Sequence, residues 1–229
     1  MRPAPVAVVQ ARMSSTRLPG KVLADLGGRP VLDWVVSRLR ASRELAGVVV
    51  ATSDEPEDDA VAEAAQARVF RGPLADVLAR YAITARELES ALAARELGFE
   101  GLVRVTADCP LIDPAVVDEV VAEWRRGDAD YVANVIEPRT YPVGMDTEVV
   151  SAAALLAADA EATDPYDREH VTPFVRSRPE RFPQRAVTLD PPRPDVRLTL
   201  DTPEDLEHLR AVVAATGPDA SLAELIAAA

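Results

Sequence analysis

Cysteine is almost missing from this chain: Cys109 stands alone among 229 residues. No internal disulfide framework can form, and the composition fits a reducing, cytoplasmic setting. Long apolar runs are missing too. No stretch approaches the roughly 18 uninterrupted apolar residues of a membrane-spanning helix. Met1-Arg2-Pro3-Ala4-Pro5 lacks the apolar centre and cleavage site of a signal peptide. Cations are outnumbered, 25 Lys and Arg against 38 Asp and Glu, for a formal net charge of −13. That excludes the broad basic surface a non-specific nucleic-acid binder needs. His170 and His208 are the only histidines, and with one cysteine they miss the ligand count and spacing of a zinc centre. What remains is a chain 48% hydrophobic and 28% charged, long enough for a single α/β domain over 1–229. If so acidic a protein handles a polyanion, it must gather its cations locally.

Val6–Gln10, Val48–Thr52 and Leu102–Thr106 are short apolar runs that read as buried parallel strands. Helical patterns separate and follow them. Pro30 opens one with Val31, Leu32, Val35, Val36 and Leu39 on one face; others cover 57–66, 76–95 and, after Pro114, 115–124. This alternation predicts a three-layer α/β/α architecture with a mainly parallel sheet. After Asp128 the rhythm breaks. Tyr131–Val135 and Glu148–Val150 look like strands but are interrupted by prolines and polar turns, so about 130–190 reads as an insertion beside the sheet. Val196–Leu200 predicts a further strand, Thr202-Pro203 a capped helix start, and 219–229 a short alanine-rich helix. Open α/β sheets bind ligands beyond the carboxyl ends of their strands. The loop after Gln10, the Thr106-Ala107-Asp108 corner and Asp201 are therefore expected in one crevice.

The first of these loops carries the missing cations. Ala11-Arg12-Met13-Ser14-Ser15-Thr16-Arg17-Leu18-Pro19-Gly20-Lys21 sets three cations and three hydroxyls directly after a buried strand. A triphosphate needs such a loop, because backbone N–H groups and hydroxyls donate to its oxygens while Arg and Lys neutralise its charge. A Walker A loop needs Ser or Thr after Gly20-Lys21, and the dinucleotide fingerprint needs three glycines in register; both patterns fail. A solvated basic turn is the bland alternative. Gln10 to Lys21 closely resembles the nucleotide-binding signature of the spore coat polysaccharide biosynthesis protein F-like cytidylyltransferases, relatives of the acylneuraminate and 3-deoxy-manno-octulosonate cytidylyltransferases. The resemblance implies the nucleotide-diphospho-sugar transferase-like fold. It also implies that Arg12, Arg17 and Lys21 hold the phosphates of CTP, with Ala11, Met13 and Ser14 to Thr16 lining them.

Asp108 ends a buried strand without an obvious capping role, and Asp201 follows Leu198-Thr199-Leu200. Two aspartates at strand ends suit Mg²⁺, which takes one or two carboxylates plus waters and phosphates. Thr106-Ala107-Asp108-Cys109-Pro110 and Leu200-Asp201-Thr202-Pro203 also resemble the family's two metal signatures, with Ala107 where many relatives have glycine. By the same resemblance Thr52, Asp54, Arg71, Asp76, Thr106 and Ala107 border the nucleoside, Asp76 being equally a plain helix cap. Gly144, Asp146, Glu148, Arg168, Glu169 and His170 fall in acceptor-side segments, whose alternative is a polar rim or subunit contact. Tyr131, Phe174 and Phe182 read as packing. The implied protein is a homodimer, paired through 130–190. The implied enzyme transfers CMP from CTP to a small sugar or sugar-acid acceptor and releases pyrophosphate, with Arg12, Lys21, Asp108 and Asp201 as its catalytic set. Rival readings are another nucleotide, a phosphonate acceptor, or nucleotide binding without turnover. No membrane or nucleic-acid partner is expected.

Overall fold

Strand β1 (Val6–Gln10) shows how the sheet is built: Val6 and Val8 join one apolar cluster, Ala7 and Val9 the other. Successive side chains point to opposite faces, so a strand covered on both sides must be apolar throughout. In the computed structural model, which describes residues 1–229, β1 lies between β2 (Gly47–Ser53) and β4 (Gly101–Thr106), parallel to both. Outside β2 runs β3 (Arg68–Gly72), again parallel. Beyond β4 come β6 (Glu148–Ser151), β5 (Tyr131–Ala133) and β7 (Gln184–Ala186), completing seven strands in the order β3-β2-β1-β4-β6-β5-β7. Only β6 runs against the rest.

Helix α3 (Val77–Ala93), α5 (Ala152–Glu161) and the short α7 (Pro173–Arg176) cover one face through Leu78, Tyr81, Leu155 and Phe174. Helices α1 (Val31–Arg40), α2 (Asp59–Ala64) and α4 (Pro114–Trp124) cover the other through Leu32, Val36, Val61, Val117 and Trp124. Each such side chain, fully buried, contributes about 1.5–3 kcal/mol. A third cluster joins Trp34, Leu111, Tyr141 and Leu198 to α8 (Pro203–Thr216) and α9 (Leu222–Ala228). Asp113 caps α4 by accepting from the Ala115 N–H at 2.7 Å, and Thr202 with Asp205 forms a reciprocal capping box on α8. Pro30 stands just before α1 rather than in its first turn.

Two expectations need correction. The 130–190 segment does not lie beside the sheet: β5 and β6 are buried along their whole length and extend it, and β7 forms its outer edge. Val196–Leu200 is not a strand of the sheet. It is an extended segment with one parallel bridge, Val143 to Arg197, bonding Val143 O from Leu198 N at 2.7 Å and Asp108 O from Leu200 N at 2.8 Å. Gly144 makes this approach possible. Its φ is +106°, and a Cβ there would fall 2.6 Å from the Leu198 carbonyl.

Candidate active site

Gln10 and Thr106 are register partners at the carboxyl ends of β1 and β4, so the cationic loop and the Ala107-Asp108 corner leave the sheet side by side. The loop closes on itself: the N–H groups of Ser15 and Gly20 both donate to Met13 O, at 2.9 and 3.0 Å. A second anchor lies outside the motif. Buried Asp58 accepts from the Met13 N–H at 2.6 Å and from the Ser53 N–H at 3.2 Å, tying the loop to the end of β2. The sequence offered no sign of this, because Asp58 sits in an acidic stretch that reads as solvated.

Between loop and corner opens a cavity of about 370 Å³ lined by Arg12, Ser14, Ser15, Thr16, Arg17 and Lys21, with Gln10, Thr106, Ala107, Asp108 and Asp201 opposite. The three features expected to meet do meet. Lys21, the only lysine in the chain, places its Nζ 2.7 Å from Asp108 Oδ2, 3.0 Å from Asp201 Oδ1 and 2.8 Å from Leu200 O. Burial alone would lower its pKa, but Asp108 and Asp201 outweigh that and raise it. For Asp201 burial pulls upward, and Lys21, Arg17 and Arg197 together hold the carboxyl below its usual range. Arg17 reaches Asp201 at 3.0 Å, while Arg12 bonds nothing in the chain. Ala11 is buried beneath the loop, and Met13 contributes its backbone rather than a lining side chain.

Three oxygens thus surround one cation. No cluster of three His, Cys, Asp or Glu side chains offers a self-sufficient metal site. Two carboxylates and a carbonyl already holding a cation do fit a hard divalent ion that takes its remaining ligands from water and phosphate.

A second cavity of about 230 Å³ adjoins the first, and His170 lines both. Its charges are largely paired off. Buried Glu148 meets Arg104 and accepts from Tyr131 Oη at 2.5 Å and Thr172 Oγ1 at 2.6 Å. Burial would raise the Glu148 pKa, but Arg104 and the two hydroxyls outweigh it and lower it. Arg139 grips Asp146 with two bonds of 2.7 and 3.0 Å. Arg104 also donates to Gln10 Oε1 at 3.3 Å, linking the two cavities. Arg104, Arg139, Arg176 and Thr172 were not singled out from sequence; a charged residue inside apolar β4 was the one available signal, at Arg104.

Other expected residues lie elsewhere. Arg168 holds Asp76 and Asp159, at 2.6 and 3.0 Å, and lines neither cavity; Glu169 is exposed outside both. Asp76 caps α3, accepting from the Ala79 N–H at 2.9 Å. Arg71 is spent on Ser53 O, Glu55 O and Asp59. Thr52 is fully buried with its hydroxyl unpartnered, and Asp54 is exposed. Gly144 serves the close approach to Leu198. A larger cavity of about 650 Å³ between α1, the start of α4 and Pro218–Ser221 contains Arg38, whose guanidinium is used up on three carbonyls at 2.7 Å.

The sequence model of one family, cytidylyltransferase, matches residues 6–225. The chain is 36% identical to the spore coat polysaccharide biosynthesis protein SpsF of Bacillus subtilis (strain 168), over 96% of this chain and 91% of that protein. Among solved structures it superposes on a cytidylyltransferase from Leptospira borgpetersenii with a TM-score of 0.89 and 32% identity, covering 99% of this chain and 93% of the other. It shares its fold, with a TM-score of 0.64 and 19% identity over 93% and 99% of the two chains, with a CMP:2-keto-3-deoxy-manno-octonic acid synthetase complexed with CTP. A cavity lined by Arg12, Arg17 and Lys21 at the carboxyl ends of a parallel sheet agrees with these matches, and the chain belongs to the cytidylyltransferase family of CTP-dependent nucleotidyltransferases.

Proposed function

We propose that the protein transfers CMP from CTP to a keto sugar acid, with the nucleotide in the first cavity and the acceptor in the second. The observation that carries this reading is the adjacency of two polar cavities, one edged by Arg12, Arg17 and Lys21, the other by paired charges and the unpaired Arg176 around His170. A sugar acid is the acceptor class because Arg176 in the second cavity has no partner in the chain and is free for a carboxylate. The acceptor oxygen attacks the α-phosphorus in line and pyrophosphate leaves. Such transfer depends on positioning and charge stabilisation. Arg12, Arg17 and Lys21 neutralise the leaving pyrophosphate, and Ser14 to Thr16 donate to its oxygens. Asp108 and Asp201 would hold Mg²⁺, whose charge would polarise the α-phosphate.

The 130–190 region is the proposed dimer contact, since β7 leaves one rim of the sheet unpaired, and the solitary buried thiol supports a cytoplasmic setting. Sedimentation equilibrium tests the dimer: a monomer at micromolar concentration removes it. The function is tested by pyrophosphate release with Mg²⁺, using CTP, UTP, GTP and ATP against 3-deoxy-manno-octulosonate, N-acetylneuraminate and neutral sugars. Release with CTP and a sugar acid is the expected result. Release only with neutral sugars would overturn the acceptor class and leave the reaction standing.

A further inference from the structure

Two residues other than glycine have positive φ. Glu96, at +59°, closes the chain just beyond α3 in the left-handed region that commonly ends helices. Val171 is different. At φ +73° and ψ −58° it is the centre of a γ-turn of the rare, strained kind, closed by the Thr172 N–H donating to His170 O at 2.9 Å. A β-branched residue is an outlier there. The turn is held from outside: Thr172 is buried, and its hydroxyl donates to Glu148, itself fixed by Arg104 and Tyr131. The consequence lies one residue earlier. His170, at the end of α6 (Pro165–His170), is exposed at the seam where both cavities meet, its ring tilted 55° against that of Tyr166 with centres 4.4 Å apart.

Strain of this kind concentrates at functional sites, and elimination points the same way. Every carboxylate lining the two cavities is engaged: Glu148 by Arg104, Asp146 by Arg139, Asp108 and Asp201 by Lys21, and Glu137 by the Arg139 N–H. His170 alone among the bases lining the seam bonds nothing, and histidine is the side chain that ordinarily exchanges its proton near neutral pH.

We propose that His170 is the general base of the transfer, a role that rests on the acceptor placement proposed above. As the acceptor oxygen bonds to the α-phosphorus, its proton passes to the imidazole. The bond from α-phosphorus to the oxygen bridging to the β-phosphate breaks, and its electron pair leaves with pyrophosphate. The imidazolium returns the proton to solvent after the products depart. Glu148 and Thr172 are positioning residues, acting through the turn.

Charged groups face the imidazole from every side. From the acceptor side they are Arg104, Arg139 and Arg176 with Glu137, Asp146 and Glu148. From the nucleotide side they are Arg12, Arg17 and Lys21 with Asp108 and Asp201, and on its own helix Asp167, Arg168 and Glu169.

The test compares wild type, H170N, H170A and T172V, with CTP and the sugar acid that supports turnover. H170N is expected to lower kcat by about 10²–10⁴, to leave CTP binding unchanged, and to abolish the acid limb of the pH profile of kcat. Added imidazole should restore part of the H170A rate and none of the wild-type rate. T172V, which keeps the imidazole but loosens the turn, should lose less and keep the acid limb. An H170N enzyme with kcat within threefold of wild type, an intact acid limb and only a raised acceptor KM would overturn the assignment and leave His170 as a binding residue. Wild-type silence with every acceptor, despite CTP binding, would instead remove the proposed acceptor class and this role with it.

Discussion

The two cavities meet at one histidine but are built by opposite means. The proposed nucleotide cavity takes most of its cations from one loop of contiguous residues, and those cations are unpaired, as Arg12 is, paired with Asp201 alone, as Arg17 is, or shared between Asp108 and Asp201, as Lys21 is. The proposed acceptor cavity draws Arg104, Arg139, Glu148, His170 and Arg176 from separate segments, and Arg104, Arg139, Asp146 and Glu148 are neutralised inside the chain. Charges left unspent are available to a ligand. Charges already paired in a buried place hold the fold and shape the space. Substitutions of the paired charges in the acceptor half should therefore cost stability, and those of the cations in the nucleotide half should cost turnover.

The sharpest way to break this contrast is Glu148→Ala. It strands Arg104 and deprives Tyr131 and Thr172 of their acceptor, all in a buried site. Removing one partner of a buried pair typically costs about 3–5 kcal/mol, which denaturant unfolding near neutral pH would read directly. The pH dependence has a definite sign. Glu148 titrates lower in the folded protein than the ordinary glutamate value of about 4.3. Its stabilisation is thus fully present above that value and lost as pH falls through the folded one, so wild type and variant should converge in acid and not in base. A loss below about 1 kcal/mol, the range of exposed pairs, would make the acceptor charges as expendable as a surface bridge.

Arg12→Ala should do the reverse. With no partner to strand, its folding stability should stay within about 0.5 kcal/mol of wild type. Turnover should fall about 10²–10³-fold, the cost of removing one stabilising donor from a developing charge. A variant that turns over normally with CTP would take Arg12 out of the phosphate site.

How much of this was visible beforehand follows from the same difference. Phosphate-binding donors come largely from consecutive backbone and short side chains, so the proposed phosphate loop, Gln10 to Lys21, is spelled in one stretch of sequence. Asp108 was legible for a related reason, as an aspartate ending a buried strand. Asp201 was found for a wrong structural reason: it reaches Lys21 on an extended segment docked against Val143 and Asp108, outside the sheet. The interrupted patterning of 130–190 hid that β5 and β6 continue the main sheet, because pairing partners, not local propensity, decide where three- and four-residue strands go. Arg139–Asp146 and Arg104–Glu148 could not be matched from sequence, since nothing local says which cation meets which carboxylate. Asp58 is the extreme case, a structural anchor spelled like a surface acid.

Lys21 offers a finer test, because its ammonium occupies the centre of the oxygen set that fits a divalent ion. Lys21→Met should let the protein bind Mn²⁺ without nucleotide about tenfold more tightly, ~1.4 kcal/mol, by electron paramagnetic resonance titration. In wild type, CTP should strengthen Mn²⁺ binding both by adding phosphate ligands and by drawing Lys21 towards its phosphates; the variant keeps only the first, so its coupling should be smaller. Weaker Mn²⁺ binding to Lys21→Met would mean that the lysine organises the carboxylates instead of competing for them.

The smallest effect separates a cap from a ligand. Asp76 caps α3 and meets Arg168, while its sequence context placed it beside the nucleoside. If it is a cap, Asp76→Ala should lose about 1 kcal/mol of stability, Asp76→Asn should lose less because asparagine caps nearly as well, and neither should move the KM for CTP. If Asp76 reads the nucleoside, both variants should raise that KM while their stabilities stay close together. Nucleotide recognition would then extend past the cationic cavity to the start of α3, and the nucleotide half would owe part of its specificity to a residue whose charge is already paired, as the acceptor half does.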